Sequence, residues 1–236
     1  MNDSRLLVKP DFGRADYIKV TPQSAGWDHL SFTAVKLTKG ETWAFNTDGN
    51  ELALVILGGT CDVSSTRGDW RAIGSRTDVF HGLPTSLYLP RDTRFVVKAL
   101  SETLDFACGW AASCLPFPPH LVRPEDVNIE LRGGGNASRQ INQMLPPGFP
   151  CERLVVVEVY TPSGNWSSYP PHKHDERKVA PDGTLVEADL EEIYFYKIDR
   201  PEGYAYQRIY TNDRRLDELI LVQDSNLVLS PEGYHP

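Results

Sequence analysis

Long apolar runs are missing from this 236-residue chain. The longest lies near Leu52–Leu57, far short of the ~20 residues that span a membrane as a helix. Basic charge is in deficit: 24 Lys and Arg face 32 Asp and Glu, for a net charge of −8. A general nucleic-acid binder needs a basic footprint, and an anionic membrane surface attracts one, so both classes are excluded. The opening Met1-Asn2-Asp3-Ser4-Arg5 has no apolar signal-peptide core, and the chain is read as a soluble cytoplasmic protein. Cysteine is sparse, with Cys61, Cys108, Cys114 and Cys151 and no CxxC pair. Cys108 and Cys114 are spaced to bridge, but without an export signal the expected state is four reduced, buried thiols. Helical periodicity is nearly absent. So is any GxGxxG or phosphate-loop pattern for a nucleotide cofactor.

Short β-rich runs between turn residues fill the chain instead, and Gly and Pro stand at 18 each. Ser31–Leu37, Leu52–Leu57, Thr85–Leu89 and Arg94–Ala99 are predicted strands in the first half. The string Leu115-Pro116-Phe117-Pro118-Pro119-His120 cannot sit in a central strand and reads as a link. Beyond it, Arg153–Tyr160 is valine-rich and predicted to be a strand buried on both faces. Ile193–Ile198 is aromatic and β-branched, and Leu219–Val222 and Leu227–Leu229 flank Gln223-Asp224-Ser225-Asn226 as a predicted hairpin. The two halves share a style of strand, glycine turn, apolar strand and late proline turn. This predicts an all-β chain of two tandem barrel or sandwich domains, 1–122 and 123–236, with one large irregular β domain as the alternative.

Histidine carries the sharpest chemical signal. Three of the six fall at His172, His174 and His235. In a strand, residues i and i+2 share a face, so His172-Lys173-His174 would present two imidazoles side by side. Two solvated histidines in a charged loop is the alternative. Glu192 opens the aromatic run Ile193-Tyr194-Phe195-Tyr196, where a carboxylate is costly to bury unless paired or coordinated. His235 follows Pro231-Glu232-Gly233-Tyr234. Three imidazoles and a carboxylate suit a divalent metal such as Zn, Mn or Fe.

HxH, a Glu on the next strand and a Pro-x-Gly turn before a third His resemble the cupin metal site, with Asp175–Glu191 as an inserted loop. That resemblance implies a bicupin: two tandem double-stranded β-helix (jelly-roll) domains, the first without metal ligands. Longer strings narrow it. Val20–Trp27, Arg132–Ile141, Val157–Pro162, Trp166–Asp175 and Glu191–Tyr196 closely resemble the bacterial 5-deoxy-glucuronate isomerases of inositol catabolism. These are related to the 4-deoxy-threo-hexosulose-uronate isomerases. Family members continue past Gly-Tyr-His-Pro with a further strand, whereas this chain stops at Pro236.

The resemblance implies that His172, His174, Glu192 and His235 hold a divalent metal. It also implies an aldose–ketose isomerisation of a small sugar acid. Such a reaction needs a Lewis acid across neighbouring oxygens and a base that shuttles a proton. Glu192, Tyr194 and Tyr196 are the candidate catalytic residues, since alternation puts both tyrosines on the Glu192 face. Core packing accounts for the tyrosines equally well. Glu191 should face the other side. A substrate carboxylate calls for a fixed cation: Arg139, after the turn Gly133–Gly135, or Arg208. The metal-free first half, with His29 and His81, is expected to pack against the second and to offer a surface for a homo-oligomer. Two other functions remain open at this point. One is an iron-dependent cupin dioxygenase, which would consume oxygen. The other is a non-catalytic sugar-acid-binding module, which would bind without turnover.

Overall fold

Alternating burial builds the first half. In Arg94–Ala99, Phe95, Val97 and Ala99 are buried while Arg94, Val96 and Lys98 are exposed, the mark of a strand with one face on a core. The computed structural model describes residues 4–236, so Met1–Asp3 of the string read for an export signal lie outside the described residues. A six-stranded antiparallel sheet runs His120–Val122, Thr85–Leu89, Asn50–Gly58, Thr103–Ala112, Ser31–Thr38, Ile18–Val20 in spatial order. A four-stranded sheet of Thr42–Asn46, Arg94–Ala99, Cys61–Ser65 and Gly68–Ile73 completes this half. Leu52, Leu54, Ile56, Val63, Phe95, Val97 and Phe106 share the core cluster that these two sheets enclose.

The run Leu52–Leu57 is apolar throughout because both its faces are covered. Leu52, Leu54 and Ile56 belong to that first core, whereas Ala53, Val55 and Leu57 pack with Met144, Leu145 and Leu154 of the second half. The second half is made of smaller sheets. Arg139–Leu145 lies between Asn128–Arg132 and Val156–Tyr160, Leu227–Ser230 lies between Leu7–Val8 and Glu192–Phe195, and Ala205–Tyr210 pairs with Asp217–Val222. The segment Leu7–Val8 thus joins a sheet of the second half.

Buried carboxylates tie the halves together. Glu51 is 0% exposed and accepts the backbone N–H groups of Glu152, Arg153 and Leu154 at 2.6–3.0 Å, and the Tyr88 hydroxyl at 3.0 Å. Arg76, also buried, makes a two-pronged pair with Glu158 at 2.9 and 2.7 Å.

Three expectations need correction. Val156–Tyr160 is not buried on both faces. It is an edge strand, and Val157 and Val159, opposite Gln143 and Ile141, share the face of Arg139 and are 43% and 38% exposed. Gln223–Asn226 forms a turn, with Asn226 N–H donating to Gln223 O at 3.1 Å, but not a hairpin. The strands it joins enter different sheets, because Leu227 and Leu229 are needed in the core with Tyr17, Ile18 and Val20. Of the thiols, Cys61 and Cys108 are buried, Cys151 is half-buried and Cys114 is exposed in the loop leading to the proline link.

Candidate metal centre

The strand Glu192–Phe195 pairs with Leu227–Ser230, placing Glu192 opposite Ser230. Alternation sends Ile193 and Phe195 against the first half, while Tyr194 and Tyr196 face the interior of the second. After Ser230 the chain turns at Gly233, whose φ is +91°. A Cβ there would sit 2.7 Å from Tyr210 O, so only glycine fits. The turn lays Tyr234 against Tyr210 and His235 against His172 as two antiparallel bridges.

The HxH pair does not lie in a regular strand, contrary to expectation. His172 makes a single bridge, and His174 sits in the connection to the strand Asp175–Val179. Pro170 and Pro171 precede it and have no N–H to extend a ladder. The inserted segment folds as a hairpin of Asp175–Val179 and Leu185–Asp189.

These pieces bring His172, His174, Glu192 and His235 together, with one potential ligand atom from each lying within 4.8 Å of all the others. His174 Nε2 is 2.8 Å and His235 Nε2 is 3.2 Å from the same Glu192 oxygen. The far ring nitrogens are engaged: His174 Nδ1 with Leu190 O at 2.9 Å, and His235 Nδ1 with Gly233 O at 2.8 Å. A carbonyl only accepts, so each Nδ1 carries a proton and each Nε2 can offer its lone pair. His235 is 0% exposed, and its Nε2 makes no aligned hydrogen bond. A buried imidazole nitrogen left this way, facing two further imidazoles and a carboxylate, fits a metal ion.

The electrostatics agree. Burial pushes the Glu192 carboxyl up, but the hydrogen bond with His174 and the charge of the neighbouring His235 ring outweigh it and hold Glu192 well below the usual carboxylate range. Burial and the neighbouring His235 lower His172. Burial also lowers His174, yet its contact with Glu192 raises it overall. Tyr194 packs 5.9 Å from the His235 ring, and burial with the Glu192 charge keeps it a neutral phenol. The Tyr196 hydroxyl is committed to Gln207 Oε1.

Arg139 is buried beside the cluster, and its charge acts on His172. Nη1 donates to Ala137 O at 3.0 Å, while Nε has no partner. Gly133 makes this possible, since a Cβ there would lie 2.1 Å from Ala137 O and 2.9 Å from Arg139 Nη1. Arg208 is not brought to the cluster. In Ala205–Tyr210 the inward positions are Gln207 and Ile209, so Arg208 projects outward, pairs with Asp217 at 2.6 Å and lies over the Tyr210 ring. The residue that the sequence reading missed is Gln207, which is buried with a partnerless Nε2. Phasing that strand on Ile209 would have selected Gln207 over its charged neighbour.

A family model described as the KduI/IolB family matches residues 6–236. The chain belongs to the KduI/IolB family. A curated family relative from Geobacillus thermodenitrificans, named 5-deoxy-glucuronate isomerase, is 42% identical over 93% of this chain and 78% of its own. One from Geobacillus kaustophilus with the same name is 41% identical over 99% and 83%. The solved structure of an IolB-like protein from Salmonella typhimurium LT2 matches with a TM-score of 0.91 at 35% identity, covering 98% of this chain and 86% of that one. Bacillus subtilis oxalate decarboxylase matches over 92% of this chain and 67% of its own, with a TM-score of 0.59 at 11% identity, a likeness of fold alone. The all-β architecture is that of a bicupin, and no helix among the described residues is long and apolar enough to cross a membrane.

Proposed function

We propose that this chain is a metal-dependent aldose–ketose isomerase that converts 5-deoxy-glucuronate to 2-deoxy-5-keto-gluconate. The observation that carries the reading is the convergence of His172, His174, Glu192 and His235 in a chain whose family relatives bear that name. These four side chains are the ligands, and their donor set suits Zn, Mn or Fe. When bound, the metal supplies Lewis-acid stabilisation of negative charge on neighbouring substrate oxygens.

The rest is done by the chain's own groups. The aldehyde becomes an alcohol and the adjacent hydroxyl a ketone, so one hydrogen moves between the neighbouring carbons, one proton moves from the hydroxyl oxygen to the former aldehyde oxygen, and no oxidant is consumed. Arg139 receives the substrate carboxylate, for which its unpartnered Nε is the natural donor. Tyr194 stays protonated and packs beside Glu192 and the His235 ring. Val157 and Val159, on the Arg139 face, add apolar surface beside it.

Incubation with the sugar acid in a sealed oxygen-electrode cell, followed by ion-exchange separation, tests this reading. A new acid of unchanged mass without oxygen uptake supports the isomerase. Oxygen consumption in step with substrate loss would overturn it in favour of the dioxygenase.

A further inference from the structure

The HxH segment carries two ligands yet has almost no backbone ladder, which raises the question of what holds it. Three successive amides of the opposing segment are captured, two by the HxH segment and one by Tyr210. Gly233 N–H donates to Asp175 Oδ1 at 2.7 Å, Tyr234 N–H to Tyr210 O at 2.7 Å, and His235 N–H to His172 O at 2.9 Å. Only the first of these acceptors is a side chain, and it belongs to the residue that follows His174.

The other Asp175 oxygen is 3.2 Å from Lys173 Nζ, the residue between the two histidines. Lys173 Nζ donates in turn to Glu187 Oε1 at 2.8 Å, and the Asp175 N–H donates to that same oxygen at 3.0 Å. Lys178 Nζ donates to Glu187 Oε2 at 2.9 Å. His172 and His174 turn toward the cluster, while the alternating Lys173 and Asp175 join Glu187 of the inserted hairpin. These charged side chains are largely shielded, at 17% exposed for Lys173, 22% for Asp175 and 13% for Glu187.

We infer that Asp175 is a positioning residue, which through Gly233 sets His235 against His172 and His174 and is itself held by Lys173 and the inserted hairpin's Glu187. Asp175 is not one of the four clustered residues. The inference rests on the metal-site reading above. Support of this kind behind ligands typically governs metal affinity by ~10–100-fold. Gly233 cannot be replaced to test this, because a Cβ would strike Tyr210 O, so the carboxylate is the accessible handle.

Zn2+ affinity is measured by competition with a chromophoric chelator on the full chain, with thermal unfolding of the metal-free forms alongside. Asp175→Ala is expected to weaken Zn2+ binding by ~10–100-fold. Asp175→Asn keeps an acceptor for Gly233 N–H but loses the one facing Lys173, and is expected to bind Zn2+ more tightly than Asp175→Glu. Asp175→Glu keeps the charge but displaces it from that amide and is expected to bind weakly. This pair decides the matter even if the alanine variant does not fold. Unmodified affinity in Asp175→Glu with loss in Asp175→Asn would overturn the inference and leave a charge network. Unmodified affinity in all the variants, with only the unfolding temperature lowered, would overturn it as a merely structural contact. Failure of the unmodified chain to bind Zn2+ any better than His174→Ala would instead overturn the metal-site reading itself.

Discussion

Glu191 and Glu192 are consecutive, yet their carboxylates serve opposite sides of the strand. Glu192 Oε2 lies 2.8 Å from His174 Nε2. Glu191 accepts the backbone N–H groups of Asp28, His29 and Leu30 at 2.6–3.1 Å, in the first half of the chain. The period-two alternation of a strand produces this division, as its sequence position implied. Glu191→Ala is therefore expected to destabilise the protein by about 1 kcal/mol, because the released amides are accessible to water. Zn2+ affinity should be retained, since pairing with Ser230 still holds Glu192. Urea unfolding and a binding isotherm check the two halves of this statement.

Glu51 is a costlier residue to disturb. Glu51→Gln puts an amide NH2 where backbone donors point, leaving buried donors unsatisfied. A loss of about 2–3 kcal/mol is expected. It should be visible as a lower urea midpoint at unchanged slope, and an unchanged midpoint would contradict the account of how the halves are joined.

In the proposed function Arg139 receives the substrate carboxylate. Arg139→Met should raise KM by about 10–100-fold, the worth of one charged hydrogen bond in a shielded site. Binding of Zn2+ should survive. Steady-state kinetics with an unchanged KM would remove Arg139 from this role.

Acid should loosen the inserted hairpin late. Hydrogen bonds from Lys173 and Lys178, then from the Asp175 amide, hold Glu187 down to about 2 against an ordinary 4.5. A carboxylate lowered in the folded state contributes its full stabilisation above the ordinary value and loses it as pH falls through the lowered one. The Asp175 amide proton donates directly to Glu187. Its NMR shift should hold steady through pH 4.5 and move only toward pH 2. A midpoint near 4.5 would show that the network is not formed.

Much of this was legible in the residues, and the misses share a cause. Thr85–Leu89 and Arg94–Ala99 were read with their observed bounds, because turn residues close them, although only Arg94–Ala99 alternates buried with exposed while Thr85–Leu89 is buried throughout. The four clustered residues were legible from the HxH spacing, the carboxylate opening an aromatic strand and the resemblance to the cupin metal site. Tertiary pairing was not legible. Nothing local to Gln223–Asn226 shows that the next strand will leave for another sheet to bury Leu227 and Leu229. Arg208 was chosen for its charge, but one register step puts it on the outer face and Gln207 inside. Asp175, Lys173 and Glu187 meet at one hairpin, but the contact of Asp175 with Gly233 spans 58 residues, and no spacing rule exposes it.

The most direct test is anaerobic NMR of the protein with 5-deoxy-glucuronate and added divalent metal, run beside His174→Ala. The account predicts loss of the aldehyde and its hydrate, appearance of the 5-keto acid, and no conversion by the variant, which stays folded because the strands carry the core. Absence of turnover in metal-loaded protein, or full turnover by a metal-stripped His174→Ala sample, would contradict it.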